Sequence, residues 1–313
     1  MRYESRLLRL QTDSEYSERL PLDVCGDLLR QLKPLLTYSV RMAVEGSSVG
    51  FGRMPGWLAS ASDVRLAGYG SDRDDTLIQL AAPTLGDAAP ELYEQRQLWP
   101  TKPDPLYTAV DVFSDVVGDV ALQNLDSVRY DRHLLRKLAG LRRVFSDHLR
   151  TIVLSHESRA VDSDIAQSAE RIAECTPPPQ EVRVVGQLDM IRKSTRSFGV
   201  QLDDGSEIHG VLEDNDGLET MREFFGRRVL VLGKAVYRPS GSLLRIDTHA
   251  VEDGQTLPSI FSRVPPPRRR PMVQRSRRIS AGRGWAPLAK YFGAWPGDET
   301  DERWAEMLVE LKK

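Results

Sequence analysis

The stretch of residues 254–297 contains no aspartate or glutamate, and it carries nine cationic side chains. Prolines recur along it and apolar side chains are few, so it cannot bury enough apolar surface to offset the conformational entropy that folding removes. Because the whole chain has a formal net charge of −2, the remaining residues are strongly acidic. The contrast predicts an acidic body with a basic arm, directed at an acidic partner or at phosphate.

A short amphipathic helix is predicted after the arm. Asp298 can cap its first turn, and the acidic residues that follow fit the positive end of the helix dipole. Apolar side chains at i, i+3, i+4 and i+7 form one stripe, which consists of Trp304, Met307, Leu308 and Leu311. Such a stripe can fold back on the body or enter the groove of a partner.

The length of 313 residues predicts two or three domains. Cys25 and Cys175 are the only cysteines, and they have neither metal-ligand nor redox spacing, so we expect two reduced, buried thiols. The beginning of the chain lacks an apolar signal core, and no apolar run reaches about 18 residues. We therefore expect a cytoplasmic protein that does not bind a membrane.

Residues 1–103 are predicted as an α+β domain. A strand is expected at 3–10, and apolar residues at helical spacing predict a helix over 22–36. Apolar and polar residues then alternate over 38–44, which predicts a further strand with one buried face.

Residues 104–176 are predicted as a helical region. The Asp104–Pro105 pair is typical of a helix start, and apolar periodicity predicts further helices over 134–152 and near 162–174. The prolines at 177–179 form a stiff break and mark the clearest domain boundary.

Residues 181–253 are predicted as an OB-like, five-stranded β-barrel with a helix at 218–225 between the third and fourth strands. Other small five-stranded barrels fit the same element order. The basic arm at 254–286 and a partner-docking tail at 287–313 follow. The predicted fold class is therefore an α+β multidomain protein with an N-terminal α+β domain, a helical segment, an OB-like barrel and an extended arm that ends in a short helix.

The sequence contains no pattern typical of catalysis, of a metal site or of a cofactor. Its histidines do not share metal-ligand spacing with nearby Cys, Asp or Glu, and they are His133, His148, His156, His209 and His249. There is no phosphate loop, dinucleotide fingerprint or nucleophile elbow. We expect a non-enzymatic protein with no metal and no cofactor.

The predicted barrel offers an alternative function, the binding of nucleic acid. Arg192, Lys193 and Arg196 lie in its first turn, and OB-like surfaces combine cations with aromatic rings on which bases stack. Aromatic residues are sparse in this region, however, and alternation places Phe198 in the barrel core. The arginine-rich arm would contribute to the same alternative.

Residues 293–302, with the sequence GAWPGDETDE, resemble a tail found at the C-termini of bacterial antitoxins of type II pairs and in proteins that accompany PIN-type toxins. Residues 186–191, 225–229 and 238–241 also resemble a family of uncharacterised bacterial proteins of this length. The resemblance implies a protein that binds and neutralises a PIN-like nuclease as part of bacterial defence.

A nuclease of this kind gathers carboxylates to hold Mg²⁺ or Mn²⁺, and guanidinium groups pair bidentately with carboxylates. The arginines expected to reach such a site are Arg268, Arg269, Arg270, Arg275, Arg277 and Arg278. The residues expected to anchor the tail are Trp285, Phe292, Trp295, Trp304 and Leu308. We expect residues 254–313 to be mobile in the free protein and ordered on the partner.

Overall fold

The computed structural model describes residues 2–12, 20–50, 52–93, 103–193, 195–212 and 221–267. All of them belong to one compact unit, which spans residues 1–269. The predictions made for residues 268–313 lie outside the described residues.

A five-stranded antiparallel sheet organises the first part of this unit. Its strands are β1 (Tyr3–Gln11), β2 (Arg65–Asp72), β3 (Asp75–Pro83), β4 (Thr151–Leu154) and β5 (Ala160–Asp162). They lie in the order β2-β3-β1-β4-β5. Alternate residues of the three central strands, such as Leu8, Ile78 and Ile152, are buried, so one face of the sheet carries the core.

The helices share one hydrophobic core with that face. They are α1 (Leu22–Glu45), α2 (Gly56–Ala61), α3 (Leu85–Ala88), α4 (Ala109–Ala121), α5 (Arg132–Gly140) and α6 (Ser163–Cys175). α1 packs against α4 and α5, and α6 also packs against α4 and α5. One hydrophobic cluster extends from Leu8 to Ala173 and joins the sheet to these helices. We call residues 2–176 the body.

The predicted strand at 38–44 is wrong, because α1 continues to Glu45 and ends at Gly46, whose backbone is left-handed with φ 74°. The alternation arises from polar residues that are buried between apolar ones. Ser39 donates its hydroxyl hydrogen to a carbonyl one turn earlier, and Arg41 pairs with Glu45 at 3.3 Å. A helix that is buried on most sides does not show the one-sided pattern from which helices are predicted.

The predicted helix over 134–152 is too long. α5 ends at Gly140, a 3₁₀ helix follows at Leu141–Arg143, and Ile152 lies in β4 opposite Leu10 of β1. The apolar residues after the 3₁₀ helix therefore continue the sheet. The third helix is confirmed as α6, and the side chain of Asp162 caps it. Its last residue, Cys175, is exposed, so the expectation of a buried thiol is wrong at this position.

Residues 180–253 form a closed five-stranded barrel, which confirms the barrel predicted for 181–253. Its strands are β6 (Gln180–Arg192), β7 (Ser197–Gln201), β8 (Glu207–Leu212), β9 (Arg228–Tyr237) and β10 (Leu243–Asp253). The order around the barrel is β10-β8-β7-β6-β9, with β10 parallel to β8 and the other pairs antiparallel. Of the predicted helix at 218–225, residues 221–223 are helical, and 213–220 lie outside the described residues.

The barrel interior is filled by side chains. Phe198 is 1% exposed, as predicted, and its ring lies against Gly210, where an added Cβ would come within 2.2 Å of the ring. The glycine therefore makes room for the aromatic ring, and the ring is not available to stack on a base. Within the described part of the chain, no helix is long and apolar enough to cross a membrane.

Candidate functional site

The predicted partner-binding residues of the arm and tail lie outside the described residues, and they are Arg268, Arg269, Arg270, Arg275, Arg277, Arg278, Trp285, Phe292, Trp295, Trp304 and Leu308. The structure describes the segment that leads into them, residues 254–267. We call this segment the arm root.

The arm root begins on one end of the barrel. The Gly254 amide donates a hydrogen bond to the Arg228 carbonyl at 3.0 Å. The guanidinium of Arg228 binds both carboxylate oxygens of Asp203, at 2.6 and 2.9 Å. The backbone amide of Asp203 in turn donates to the hydroxyl of Ser262 at 2.8 Å, and Ser262 is buried. These bonds hold the first half of the root between two turns of the barrel.

The second half of the arm root follows the barrel to its other end. Val264 packs against the barrel core, and the hydroxyl of Tyr237 donates to the Pro265 carbonyl at 2.9 Å. Pro267 lies beside Gly241, in the loop between β9 and β10, where an added Cβ would be 3.4 Å from the Pro267 ring. The arginine-rich sequence therefore continues from a point fixed at this loop.

These contacts correct the expectation that the chain is mobile from residue 254 onward. Residues 254–262 are uncharged, and the first cation is Arg263. The beginning of the acid-free stretch is therefore neutral, whereas the rest is basic. The segment lacks the apolar area to fold alone, but the barrel supplies a surface on which it packs. Composition averaged over the whole stretch concealed this difference.

The cations predicted to bind nucleic acid lie at the first barrel turn, and only Lys193 of the three is exposed. Burial lowers the pKa of the Arg192 guanidinium below its usual value. Arg196 adopts a left-handed backbone with φ 52° and lies close to Glu45 of α1. Burial raises the pKa of Glu45, and the charges of Arg41 and Arg196 oppose that rise. Arg196 therefore faces the body, whereas Lys193 is exposed.

A buried polar network joins the barrel to the body, and we call it the junction network (Ser48, Asp131, Arg245 and Asp247). Arg245 of β10 is 3% exposed. Its Nη1 donates to the Gly46 carbonyl at 2.9 Å and to Asp131 Oδ2 at 3.3 Å. Its Nε donates to Asp247 Oδ1 at 2.6 Å. Every distance is that of a charge-assisted hydrogen bond or close ion pair, so the buried cation is well compensated.

Asp131 connects the network to a helix start. It caps α5 by accepting a hydrogen bond from the Leu134 amide at 3.0 Å, and it accepts from the amide and hydroxyl of Ser48 at 3.0 and 2.6 Å. Burial raises the pKa of Asp131, but Arg245 and these hydrogen bonds outweigh burial and hold the pKa below its ordinary value. The carboxylate is therefore charged at neutral pH and essential to the network.

Ser48 also lies 3.0 Å from Nδ1 of His133, so a serine, a histidine and an aspartate meet here. In a nucleophilic triad the histidine stands between the serine and the acid, whereas Ser48 contacts both partners itself. Ser48 is fully buried, and its hydroxyl hydrogen is directed at Asp131. This geometry is typical of a structural link, and it does not activate the Ser48 hydroxyl as a nucleophile.

His209 of β8 packs against the end of α1. An added Cβ at Gly46 would lie 3.0 Å from its Nε2, so the left-handed glycine allows the two elements to approach. Burial lowers the pKa of His209 to about 4. The ring is consequently neutral at pH 7, as a position inside a packed junction requires.

One outer face of the barrel is covered by the body. The interior residues of the barrel alternate with Ser197, Val211 and Val236, which point outward and yet are buried. Leu244 packs against the hydrophobic cluster of the body. In the loop between β9 and β10, the hydroxyls of Ser240 and Ser242 donate to Asp126 at 2.5 and 2.9 Å. The covered face includes parts of β8 and β10, together with Arg196 and the contacts of the loop at 238–242.

A second ionic cluster lies on α4. The helix begins at Ala109, after a capping box between Thr108 and Asp111, and thus starts later than the predicted Asp104–Pro105 pair. Asp111 binds the Arg6 guanidinium through both oxygens at 2.7 Å. His156 lies 3.7 Å from Asp111 and 3.8 Å from Asp115. This cluster ties α4 to β1, and among the described residues no group of three or more His, Cys, Asp or Glu side chains could hold a metal ion.

Sequence reasoning did not find the junction network, because Ser48, Asp131 and Arg245 are far apart in the chain and each is a common residue in an ordinary context. A detectable signal was the Asp131 cap, since an aspartate directly before the periodic apolar residues of α5 is typical of a helix start. No family model, curated protein or solved structure matches this chain.

Proposed function

We propose that this protein is a non-enzymatic binding protein that neutralises a metal-dependent, PIN-like nuclease through its arm and tail, in the manner of a bacterial antitoxin. The observation that carries the proposal is the sequence of residues 263–297, which has nine cations and no acid, in continuation of an arm root bound to the barrel. A fixed root limits the volume that the cations sample, and it reduces the entropy lost when they bind.

The chemistry of the proposed partner complements these cations. A guanidinium placed among carboxylates that hold Mg²⁺ or Mn²⁺ pairs with them bidentately and competes with the metal. Loss of the metal removes the activated water on which hydrolysis depends. The aromatic residues of the tail would supply the buried contact area that holds the complex together.

We assign the barrel to the OB-like class on its strand order, since its third and fifth strands, β8 and β10, are parallel neighbours and β9 pairs with both β6 and β10. OB barrels bind ligands on the face of their second and third strands, near the loops after the first and fourth strands. In the first of those loops, Arg196 lies close to Glu45 of the body, and in the second, Ser240 and Ser242 donate to Asp126. These contacts with the body support a barrel that carries the arm.

The alternative function is nucleic-acid binding by the barrel and the arm. The contacts of the loop cations argue against the barrel as the binding surface, since Arg192 and Arg196 are half-buried and only Lys193 is exposed. The arm alone remains available for phosphate. This alternative predicts oligonucleotide affinity that falls steeply with salt concentration.

The test is co-expression with a metal-dependent nuclease encoded beside this chain. The full chain should co-purify with the nuclease and inhibit it. A chain that ends at Pro267 keeps the arm root, so it should remain folded, lose the complex and release the activity. If this shortened chain binds and inhibits fully, the proposal is wrong.

A second variant separates anchoring from inhibition. Glutamine at the six candidate arginines, which are Arg268, Arg269, Arg270, Arg275, Arg277 and Arg278, removes charge and leaves the aromatic anchors in place. We expect inhibition to weaken more than co-purification. If the full chain binds no such nuclease but binds single-stranded oligonucleotides with steep salt dependence, the alternative is correct.

A further inference from the structure

A groove of about 540 Å³ lies on the body between α5, with the 3₁₀ helix that follows it, and α6. It is remote in sequence from the arm root, and none of its lining residues belongs to the junction network. The volume falls within the range of small-molecule sites in proteins, about 300–1,000 Å³. The groove therefore has the size to receive a small ligand.

One wall of the groove is cationic. Arg136 of α5, together with Arg142 and Arg143 of the 3₁₀ helix, supplies three guanidinium groups. Arg142 pairs with Glu170 at 3.6 Å, and both side chains are more than half exposed, so this pair holds the walls together only weakly. Within the described part of the chain, Arg136 and Arg143 form no ion pair or side-chain hydrogen bond. Two cations are consequently free to meet an anion.

The opposite wall is acidic, with Glu170 and Glu174 one turn apart on α6. Carboxylates accept hydrogen bonds and do not donate them at neutral pH. This wall thus repels a simple anion and attracts hydroxyl or amino groups. The remaining lining residues are small, Ala139, Gly140 and Ala173, and they leave a narrow apolar strip between the two charged walls.

A ligand that fits must carry an anion at one side and hydrogen-bond donors at the other. Guanidinium groups match phosphate oxygens in pairs, and carboxylates bind ribose hydroxyls in nucleotide sites. We propose that this groove binds a nucleotide, with its phosphates against Arg136 and Arg143 and its ribose hydroxyls or base amino group against Glu170 and Glu174. This site is independent of the nuclease-binding function proposed above.

The experiment is calorimetric titration of the full chain with ATP, GTP and inorganic pyrophosphate. We expect at least one nucleotide to bind more tightly than pyrophosphate. Arg143→Ala should lower nucleotide affinity about 10- to 100-fold, as expected for the loss of charge-assisted hydrogen bonds. Arg143→Lys should restore part of it, because lysine keeps the charge and loses the fork geometry.

The acidic wall has its own test. Glu170→Gln combined with Glu174→Gln should weaken nucleotide binding and leave pyrophosphate binding equal or stronger, since repulsion is removed together with the ribose contacts. Arg30→Ala is the matched control, because Arg30 is an exposed arginine on α1 with a side-chain exposure of 79%. It should leave every affinity unchanged.

Three results would overturn the proposal. The first is the absence of nucleotide binding by the unmodified chain. The second is binding that persists in Arg143→Ala, which would assign it to the arginines of the arm. The third is equal binding of nucleotide and pyrophosphate with no response to the glutamate changes, which would mean that only phosphate is recognised. All changed side chains are exposed, so unchanged thermal unfolding verifies that each variant is folded.

Discussion

Asp131→Ala should destabilise the protein far more than the loss of a helix cap alone. Removing the cap of α5 costs about 1 kcal/mol. Breaking a buried ion pair from one side costs about 3–5 kcal/mol, because a charge is left without its partner. Arg245 would keep its contacts with Asp247 and with the Gly46 carbonyl. The loss of the ion pair should therefore cost about 3 kcal/mol, the low end of that range. We therefore expect a total of about 4 kcal/mol.

The chain offers a matched control in Asp162, which caps α6 by accepting from the amides of residues 164 and 165. No ion pair of its side chain occurs in the described part of the chain, so Asp162→Ala should cost only about 1 kcal/mol. Both variants are compared by urea denaturation of the full chain at pH 7, with midpoint and slope recorded. If both variants lose the same free energy of unfolding, the ion pair between Asp131 and Arg245 does not contribute to stability.

A double-mutant cycle identifies the pair itself. Arg245→Met should be costly in the unmodified chain and much less costly when Asp131 is already alanine, which gives a coupling energy of about 1–3 kcal/mol. The pKa of Asp131 is held below its ordinary value. Its stabilisation is therefore present above the unfolded pKa, near 3.9, and it is lost as pH falls through the folded pKa. Additive losses would show that the two side chains act separately.

The remaining predictions concern His209 and two glycines. The folded pKa of His209 is about 4 and its unfolded value is about 6.5. The unfolded chain thus binds more protons between these values, and the free energy of unfolding should fall by up to about 3 kcal/mol as pH drops through this window. Urea midpoints at several pH values should show a smaller fall in His209→Gln, whereas the exposed control His249→Gln should behave like the unmodified chain. Gly210→Ala should cost about 1–3 kcal/mol, because its Cβ would come within 2.2 Å of Phe198. Gly205→Ala, at φ 82° with nothing within 4 Å, should cost about 1 kcal/mol from backbone strain alone. Thermal unfolding of both variants then compares the cost of a steric clash at Gly210 with the cost of backbone strain at Gly205.

The barrel could be predicted from sequence because its strands and turns are each specified by residues that are neighbours in the chain. Its strands alternate with one buried face, and turns such as the one that includes Gly205 separate neighbouring strands. The end of α1 could not be predicted in this way, because Ser39 and Arg41 are buried polar residues whose partners lie on the same helix. β4 was missed because its four residues, Thr151–Leu154, are too few to show a period before they pair with β1.

The candidate sites also differ in whether neighbouring residues of the sequence are enough to recognise them. The arm was visible as a run of charge without acid, a property of composition. Its beginning was misplaced because uncharged residues pack on a surface that exists only after the barrel has closed. The junction network and the groove between α5 and α6 depend on residues brought together by the tertiary fold, and a single sequence contains no spacing that reports such contacts.

The anchoring of the arm root leads to a last prediction, on Tyr237. Its ring is buried in the barrel, while its hydroxyl donates to the Pro265 carbonyl at 2.9 Å. Tyr237→Phe keeps the ring and removes this bond, so the barrel should lose at most about 1 kcal/mol. The root, however, should open more often, by about 5-fold for each kcal/mol lost.

Limited trypsin digestion measures that opening, because Arg263 lies within the root and its peptide bond must leave the barrel surface to be cut. Cleavage after Arg263, followed by mass spectrometry, should accelerate in Tyr237→Phe by a similar factor. Cleavage after Arg30 on α1 should not change, since that site depends on the body. Equal acceleration at both sites would mean that the substitution loosens the whole unit, and no acceleration at Arg263 would mean that the hydroxyl does not hold the root. Acceleration confined to Arg263 would establish that the position from which the arginines extend is set by the barrel.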